Sequence, residues 1–504
     1  MTMDKQQKLY KMLFVLVIVL LTLPAIQQMT HVFPLKKLSG FEDKVEKPEL
    51  TYSSYCSGEF QSQVDKYLRQ NFGFREWLIP LYNQYVWDFY NRTENNGVFF
   101  GKDNWLFFYE MLQDQYESLT YKYCKSGEEM AETFERDARM VYYLQEILKE
   151  YGTTLFVCIA PSKNEVFPEF LPENDRFKRE GGVHADEFYT KRFAELGVNC
   201  LDLNTLYKEQ KGKTDYPLFY KGGSHYSHIA ATYTADTLVK YMESISGLKI
   251  QDFEYGEPFV DSPKNIDRDM ENLYNLIRPI ERVNYEYVHV TPIPDSSSVK
   301  MRWLTIGDSF YWNISSEIRD AGLFESTPFW YYGKEVYFDP GRFYTDELNI
   351  VDELLSADIL TILWCPINLY ALEHNFVNNA VLSLCQADNY RNQMIECIKE
   401  SDGWLRDEVK KAEERGIDID EMVRIDADYM INQKTDNLLN EYPANVVPSQ
   451  RIKQLRDSKR YFEDKSADEI CRMKHHYKKL KGQYPDKSIV ELFKEASDFV
   501  MANK

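Results

Sequence analysis

Residues 12–26 are apolar almost without a break, interrupted only by Thr22 and Pro24, and Lys5, Lys8 and Lys11 stand before them. A cationic start followed by such a core predicts a secretory signal or a signal anchor. The run is a little short of the ~20 residues that cross a bilayer comfortably. Gln27, Gln28 and Met29 follow it, in place of a small-residue cleavage site of the Ala-x-Ala kind. The pattern favours an uncleaved anchor, with the cationic end inside and the remaining chain exported. The alternative is a cleaved signal peptide. No second hydrophobic run is long enough to cross again.

Residues 33–50 are polar and Pro-containing, like a stalk leaving a membrane. Residues 61–91 carry aromatic and aliphatic side chains at helical spacing, interrupted at Phe72-Gly73-Phe74-Arg75, and residues 98–107 read as two short strands around a turn. A helix-rich stretch at 128–151 leads into a continuous apolar run at 154–160, and 198–203, 303–306 and 359–364 repeat that pattern. Apolar runs alternating with helices mark buried parallel strands, so the central block is α/β with a mostly parallel sheet. After about Leu384 apolar residues fall on helical faces among dense charges: Trp404, Leu405, Val409 and Ala412, then Val423, Ala427, Met430 and Ile431, with Gly416 between them. Ile489, Phe493, Ala496 and Val500 repeat the stripe. The predicted organisation is an anchor at 1–30, a stalk and N-terminal helical part at 31–95, an α/β domain at 96–384 and an all-α C-terminal region at 385–504, read as an appendage packed on the main domain.

The 504 residues carry 60 Lys+Arg against 80 Asp+Glu, a net charge of -20, which argues against a nucleic-acid partner because phosphate binding wants a basic surface. A hydrophobic fraction of 44% is ample for a core and too high for a disordered chain. Of the eight cysteines, Cys158, Cys200 and Cys365 lie in apolar, strand-like stretches and read as small buried hydrophobes. Cys56 and Cys124, in polar surroundings, are the one candidate disulfide pair. No cysteine shows metal-type spacing, and no metal or cofactor is expected. Asn91-Arg92-Thr93 matches a glycosylation acceptor.

Candidate chemistry gathers in two places. The strand-like run at 303–306 ends in Gly307-Asp308-Ser309-Phe310, and an amphipathic segment follows. In a parallel sheet that turn lies at the carboxyl edge, where ligands bind. Glycine allows the tight turn, and Ser309 then sits near a helix N-terminus whose amides can stabilise an oxyanion. The competing reading is that Asp308 or Ser309 only caps the helix. The second place is Ser224-His225-Tyr226-Ser227-His228, ahead of a small-residue helix. A serine nucleophile needs a base, and the imidazole of His225 has a suitable pKa if the fold brings it to Ser309. His225 and His228 are three apart, but no carboxylate or cysteine cluster accompanies them, which disfavours a metal.

Together these residues resemble the AlgX/AlgJ-type SGNH hydrolase-like family, the alginate and exopolysaccharide O-acetyltransferase-related proteins. The resemblance runs from about Phe33 to Leu384. It rests on Ser57-Gly58-Glu59-Phe60 with Phe72-Gly73-Phe74-Arg75, Gly101-Lys102-Asp103-Asn104-Trp105-Leu106-Phe107, Pro161-Ser162-Lys163 leading to Phe167-Pro168-Glu169-Phe170-Leu171-Pro172, the segment around His225, and Gly307-Asp308-Ser309-Phe310. It implies an SGNH, flavodoxin-like, three-layer α/β/α domain over 96–384, with Ser309 as the nucleophile carrying an acetyl group and His225 as general base. The family pattern places an aspartate two residues before that histidine; here the position is Gly223. Either another carboxylate takes the role, or a Ser-His dyad suffices, or the chemistry is lost. Asp308 and Asp215 are the candidate acids, with Asp308 read more as a brace of the turn.

An oxyanion hole would join the Ser309 amide, after Gly307, to a second donor such as the side chain of Asn368; the alternative for Asn368 is a capping asparagine. Lys163, after another strand end, is a candidate for meeting a substrate carboxylate or else a solvated charge. Tyr332, in Phe329-Trp330-Tyr331-Tyr332, is a candidate for stacking on sugar rings or else part of the core. The resemblance implies transfer of acetyl groups to an exported polysaccharide, with a membrane-bound O-acyltransferase as donor partner. The chain would be held by its single N-terminal anchor in the inner (cytoplasmic) membrane, its bulk on the periplasmic side. The alternatives are an acetyl esterase and a non-catalytic glycan-binding scaffold with a degenerate site.

Overall fold

The computed structural model describes residues 3–34, 38–40, 45–90, 92, 97–117, 127–172, 183–372, 376–385, 390–441, 458–463 and 465–503. Cys124, and Asn91 and Thr93 of the glycosylation triplet, lie outside them. The chain divides into two compact units: Met1–Phe108 with Lys221–Ser224 and Pro263–Asn284, and Tyr109–Tyr220 with His225–Ser262 and Tyr285–Lys504.

The first unit begins with the helix Met3–Thr30, longer at both ends than the apolar run that seeds it. Its stretch Gln7–Thr30 is long and apolar enough to cross a membrane, by length and composition. Helices Glu59–Gln70 and Arg75–Tyr90 follow. Strands β1 (Val98–Phe100) and β2 (Leu106–Phe108) then form the antiparallel hairpin that the sequence predicts. The core here is small: Val98 and Leu106 pack with Met270 and Tyr274, and the Phe100 ring stacks on Tyr274 at 5.4 Å. The short segment Lys221–Ser224 belongs to this unit because it is stitched in by backbone. The Leu106 N–H donates to Lys221 O at 3.0 Å and the Glu271 N–H to Gly222 O at 3.0 Å.

Among the described residues the second unit holds ten strands: β3 (Thr154–Ile159), β4 (Cys200–Asp202), β5 (Phe253–Tyr255), β6 (Phe259–Asp261), β7 (Tyr285–Tyr287), β8 (Val290–Pro292), β9 (Trp303–Gly307), β10 (Phe329–Tyr331), β11 (Glu335–Tyr337) and β12 (Ile359–Trp364). Six make one sheet in the order β11-β10-β9-β12-β3-β4, parallel except for β11. β5 pairs with β8 and β6 with β7 as two small antiparallel ribbons. Every residue of β9 and β12 is buried, which is why both read as apolar runs interrupted only by Thr305 and Thr361.

Successive side chains of a strand point to opposite faces, and each face carries helices. On one, Leu155, Val157, Leu360 and Ile362 share a core with Phe134 and Leu144 of the helix Gly127–Lys149. On the other, Phe156 meets Tyr241 of the helix His228–Ser246, and Trp303 meets Tyr311 of the helix Phe310–Asp320. This is the three-layer α/β/α domain. The C-terminal region is helical where described. Helices Tyr390–Glu400, Asp402–Arg415 and Ile419–Glu441 pack on one another through Ile398, Val423 and Ala427. Helices Ala467–Gln483 and Ile489–Ala502 pack on the main domain, since Met473, Tyr477, Phe493 and Ala496 belong to its core.

Candidate active site

β9 ends at Gly307, and its tight packing against β12 dictates that residue: a Cβ there would lie 2.5 Å from the Leu363 carbonyl oxygen. The chain turns at once into the helix Phe310–Asp320, with Ser309 at the N-cap position. Ser309 makes no side-chain cap bond. Its Oγ lies 2.7 Å from Nε2 of His225. The cap belongs to Asp308, whose Oδ1 accepts from the Phe310 N–H at 3.0 Å. The other oxygen, Oδ2, accepts from the Cys365 N–H at 2.9 Å and from Asn368 Nδ2 at 2.8 Å. Asp308 is fully buried. Both its oxygens thus tie the ends of β9 and β12 together, which makes it the brace of the turn rather than an acid facing the imidazole. Asp215, the other candidate acid, is exposed to solvent.

His225 reaches the serine from a loop held by backbone geometry. Phe219 and Tyr226 form an isolated bridge, the Ser227 N–H donates to Leu218 O at 2.8 Å, and Ser227 caps the helix His228–Ser246. The imidazole is buried and packs on the Phe310 ring, with centroids 4.6 Å apart. His228 is not part of the pair: its Nε2 meets Ser316 Oγ at 2.9 Å. The residue before His225 is fixed by a carboxylate, because Ser224 donates its N–H to Asp269 Oδ1 at 2.7 Å and its hydroxyl to Asp269 Oδ2.

Gly223 has a structural reason. A Cβ at that position would stand 2.5 Å from the Asp267 carbonyl oxygen and 2.9 Å from its carbon. The aspartate of the family pattern has no room on this backbone. Gly223→Asp is expected to lower stability by about 1–3 kcal/mol through overpacking, and not to raise acyl turnover. A thermal melt beside an esterase assay checks both.

The remaining predicted residues fall around the turn in different states. Asn368 sits in the short helix Pro366–Leu369 beyond β12, its amide directed at Asp308 and, at 3.2 Å, at the Tyr332 hydroxyl. That amide is engaged in bracing the turn. Tyr332 adopts a left-handed backbone (φ 50°) and donates its N–H to Gly307 O at 2.9 Å. Burial, with the Asp308 charge adding, pushes its phenol well above the usual value. Its ring lies 5.6 Å from that of Trp364, half-buried behind the turn. Lys163 departs from both expectations. It is fully buried, and its ammonium donates to Tyr220 O at 3.0 Å, so it meets neither solvent nor a substrate at the surface.

A feature with little mark in the sequence lies beyond β3 on the same edge of the sheet. A cavity of about 180 Å³ is lined by Asp114, Glu165, His184, Asp186, Glu187 and Lys208. Burial, with Asp186 and Asp114 nearby, pushes the Glu165 carboxyl up to about 8; burial and Asp186 push Asp114 up to about 6. The only signal in the sequence is Glu165 placed six residues beyond the strand end at Ile159.

A serine on a tight strand-to-helix turn at the carboxyl edge of a parallel sheet, with a histidine from a separate loop on its hydroxyl, is the layout of an SGNH hydrolase-like domain. Residues 98–297 match the family described as "SGNH hydrolase-like domain, acetyltransferase AlgX". That segment contains His225 and ends before Ser309. Among solved structures, the O-acetyltransferase domain of Pseudomonas putida AlgJ is similar at 16% identity, covering 54% of this chain and 92% of that one, with a TM-score of 0.37. Pseudomonas aeruginosa AlgX is 14% identical, covering 55% and 67%, with a TM-score of 0.34. Bacillus cereus PatB1 is 12% identical, covering 55% and 97%, also at 0.34. No curated protein matches the chain.

Proposed function

We propose that this chain is an exported O-acyltransferase that moves acetyl groups onto hydroxyls of a cell-surface or secreted polysaccharide through an acyl-enzyme on Ser309. The observation that carries the reading is the 2.7 Å approach of Ser309 Oγ to His225 Nε2. As Oγ attacks the acyl carbon of a donor ester, Nε2 takes its proton. The negative charge that develops on the acyl oxygen is stabilised by the backbone N–H of Ser309 at the N-cap of the helix Phe310–Asp320. The tetrahedral species then collapses, and the imidazolium returns the proton to the departing alkoxide. In the second half a sugar hydroxyl loses its proton to His225 and attacks the acyl-serine, which frees Ser309 Oγ to be reprotonated. Water in place of the sugar gives ester hydrolysis by the same steps.

The polysaccharide acceptor and a membrane-bound O-acyltransferase donor are drawn from the AlgX/AlgJ resemblance. The apolar helix Met3–Thr30 supports attachment of the chain to the inner membrane. One observation favours the scaffold reading instead: the Asp267 carbonyl fills the space a triad aspartate at 223 would need. The two readings part at His225. His225→Gln is expected to lower turnover of a chromogenic acetyl ester about 10²–10⁴-fold with KM little changed. Unchanged turnover would favour the scaffold.

A further inference from the structure

We propose that the edge of the sheet opposite Ser309 holds a structural zinc site built from Cys471, His475 and Asp358, with Glu325 as the fourth donor. The site is independent of the acyl-transfer reading. Asp358 immediately precedes β12, so it stands at the amino edge of the sheet. The helix Ala467–Gln483 lies across that edge: Lys474 donates to Thr153 Oγ1 at 2.7 Å and to Ala357 O at 2.8 Å, ahead of β3 and β12. Cys471 and His475 are four residues apart on this helix and therefore share a face.

Three of the donor atoms already stand close together. His475 Nε2 is 3.3 Å from Asp358 Oδ2, 3.8 Å from Cys471 Sγ and 2.8 Å from Glu325 Oε2. One donor atom each from Asp358, Cys471 and His475 lie within 4.8 Å of one another. Donors about 2.0–2.3 Å from a tetrahedral ion stand roughly 3.3–3.7 Å apart, so the two edges from His475 fit, and Glu325, which stands outside the trio, must swing in to complete the shell. Cys471 is 1% exposed and Asp358 2%, while His475 and Glu325 reach toward solvent.

The donor set selects the ion. A thiolate beside imidazole and carboxylates suits zinc, and neither calcium nor magnesium takes sulfur. Asp358 is oriented by the backbone N–H of Arg302, which donates to its Oδ2 at 2.8 Å, the supporting contact that metal-binding carboxylates carry. A cavity of about 290 Å³ lined by Asp358, Cys471, Thr153 and Lys149 opens a path to the site. With the ion bound, one thiolate and two carboxylates offset the charges of Zn²⁺ and of the buried Lys474. The zinc would fasten the C-terminal helix to strands whose other ends carry Ser309 and Asn368.

The test uses the full chain in detergent, stripped of metal and then given Zn²⁺ or Co²⁺ alone. Expected are one zinc per chain by elemental analysis, a thiolate-to-cobalt charge-transfer band with tetrahedral ligand-field absorption, and a melting temperature raised by zinc. Cys471→Ser should abolish the charge-transfer band, and His475→Gln should abolish the rise in melting temperature, with far-ultraviolet circular dichroism confirming the fold of each. Cys397→Ser, an exposed thiol elsewhere, should change neither. A wild-type protein that keeps no zinc and shows no cobalt band would overturn the proposal and leave His475 as an imidazolium paired with Asp358 and Glu325. So would a band that survives Cys471→Ser.

Discussion

Ser309→Ala is expected to lower acyl turnover by about three to six orders of magnitude while leaving the fold intact. The size follows from covalent catalysis: without Oγ there is no acyl-enzyme, and what remains is the background from binding and oxyanion stabilisation. The small structural cost follows from the local bonding. Ser309 Oγ does not cap the helix Phe310–Asp320, and its partner is His225 at 2.7 Å. Losing one half-exposed hydroxyl bond costs about 0.5–1.5 kcal/mol, so the melting temperature should fall by only a few degrees. Ester turnover and a thermal melt on the same sample check both halves. A large drop in melting temperature would mean that the serine serves the turn rather than the chemistry.

Asp308→Ala should do the reverse and strike stability first. Its carboxylate is fully buried and accepts from Phe310 N, Cys365 N and Asn368 Nδ2. Alanine leaves two buried backbone donors without an acceptor, each costing about 1–3 kcal/mol, and takes one partner from the half-buried Asn368 amide, with the total limited by relaxation to about 3–5 kcal/mol. Asp308→Asn keeps one acceptor oxygen and should lie between alanine and wild type. Denaturant unfolding of the three proteins measures the series. A triad acid would behave otherwise, with Asp308→Asn folding as wild type and losing turnover, and that pattern would contradict the brace.

How legible these features are depends on the range of the contacts that decide them. The strands β3, β9 and β12 stand out in the sequence because burial on both faces leaves no charged position to break the run. The pairing of Ser309 with His225 is legible only as two motifs, since nothing local says that residues 84 apart meet. Lys163 misled because a lysine after a strand end reads as surface, whereas the loop at Tyr220 covers it. Gly223 was visible as a departure, but its cause is the carbonyl of Asp267, brought beside it by the fold. Cys471 and His475 carry a readable four-residue spacing; Asp358, the ligand that gives it meaning, is 117 positions from His475. The ribbons β5-β8 and β6-β7 left no mark because three-residue strands are too short for an alternating pattern to show.

Whether Ser309 carries the acyl group is decided by intact-mass spectrometry. The full chain in detergent is mixed with an activated acetyl ester in the absence of any sugar acceptor, quenched in acid and mapped by peptide. One acetyl group is expected on Ser309 in wild type, accumulating more slowly in His225→Gln and absent in Ser309→Ala. Ester turnover with no acetyl on Ser309, and a rate unchanged in Ser309→Ala, would contradict the acyl-enzyme on Ser309.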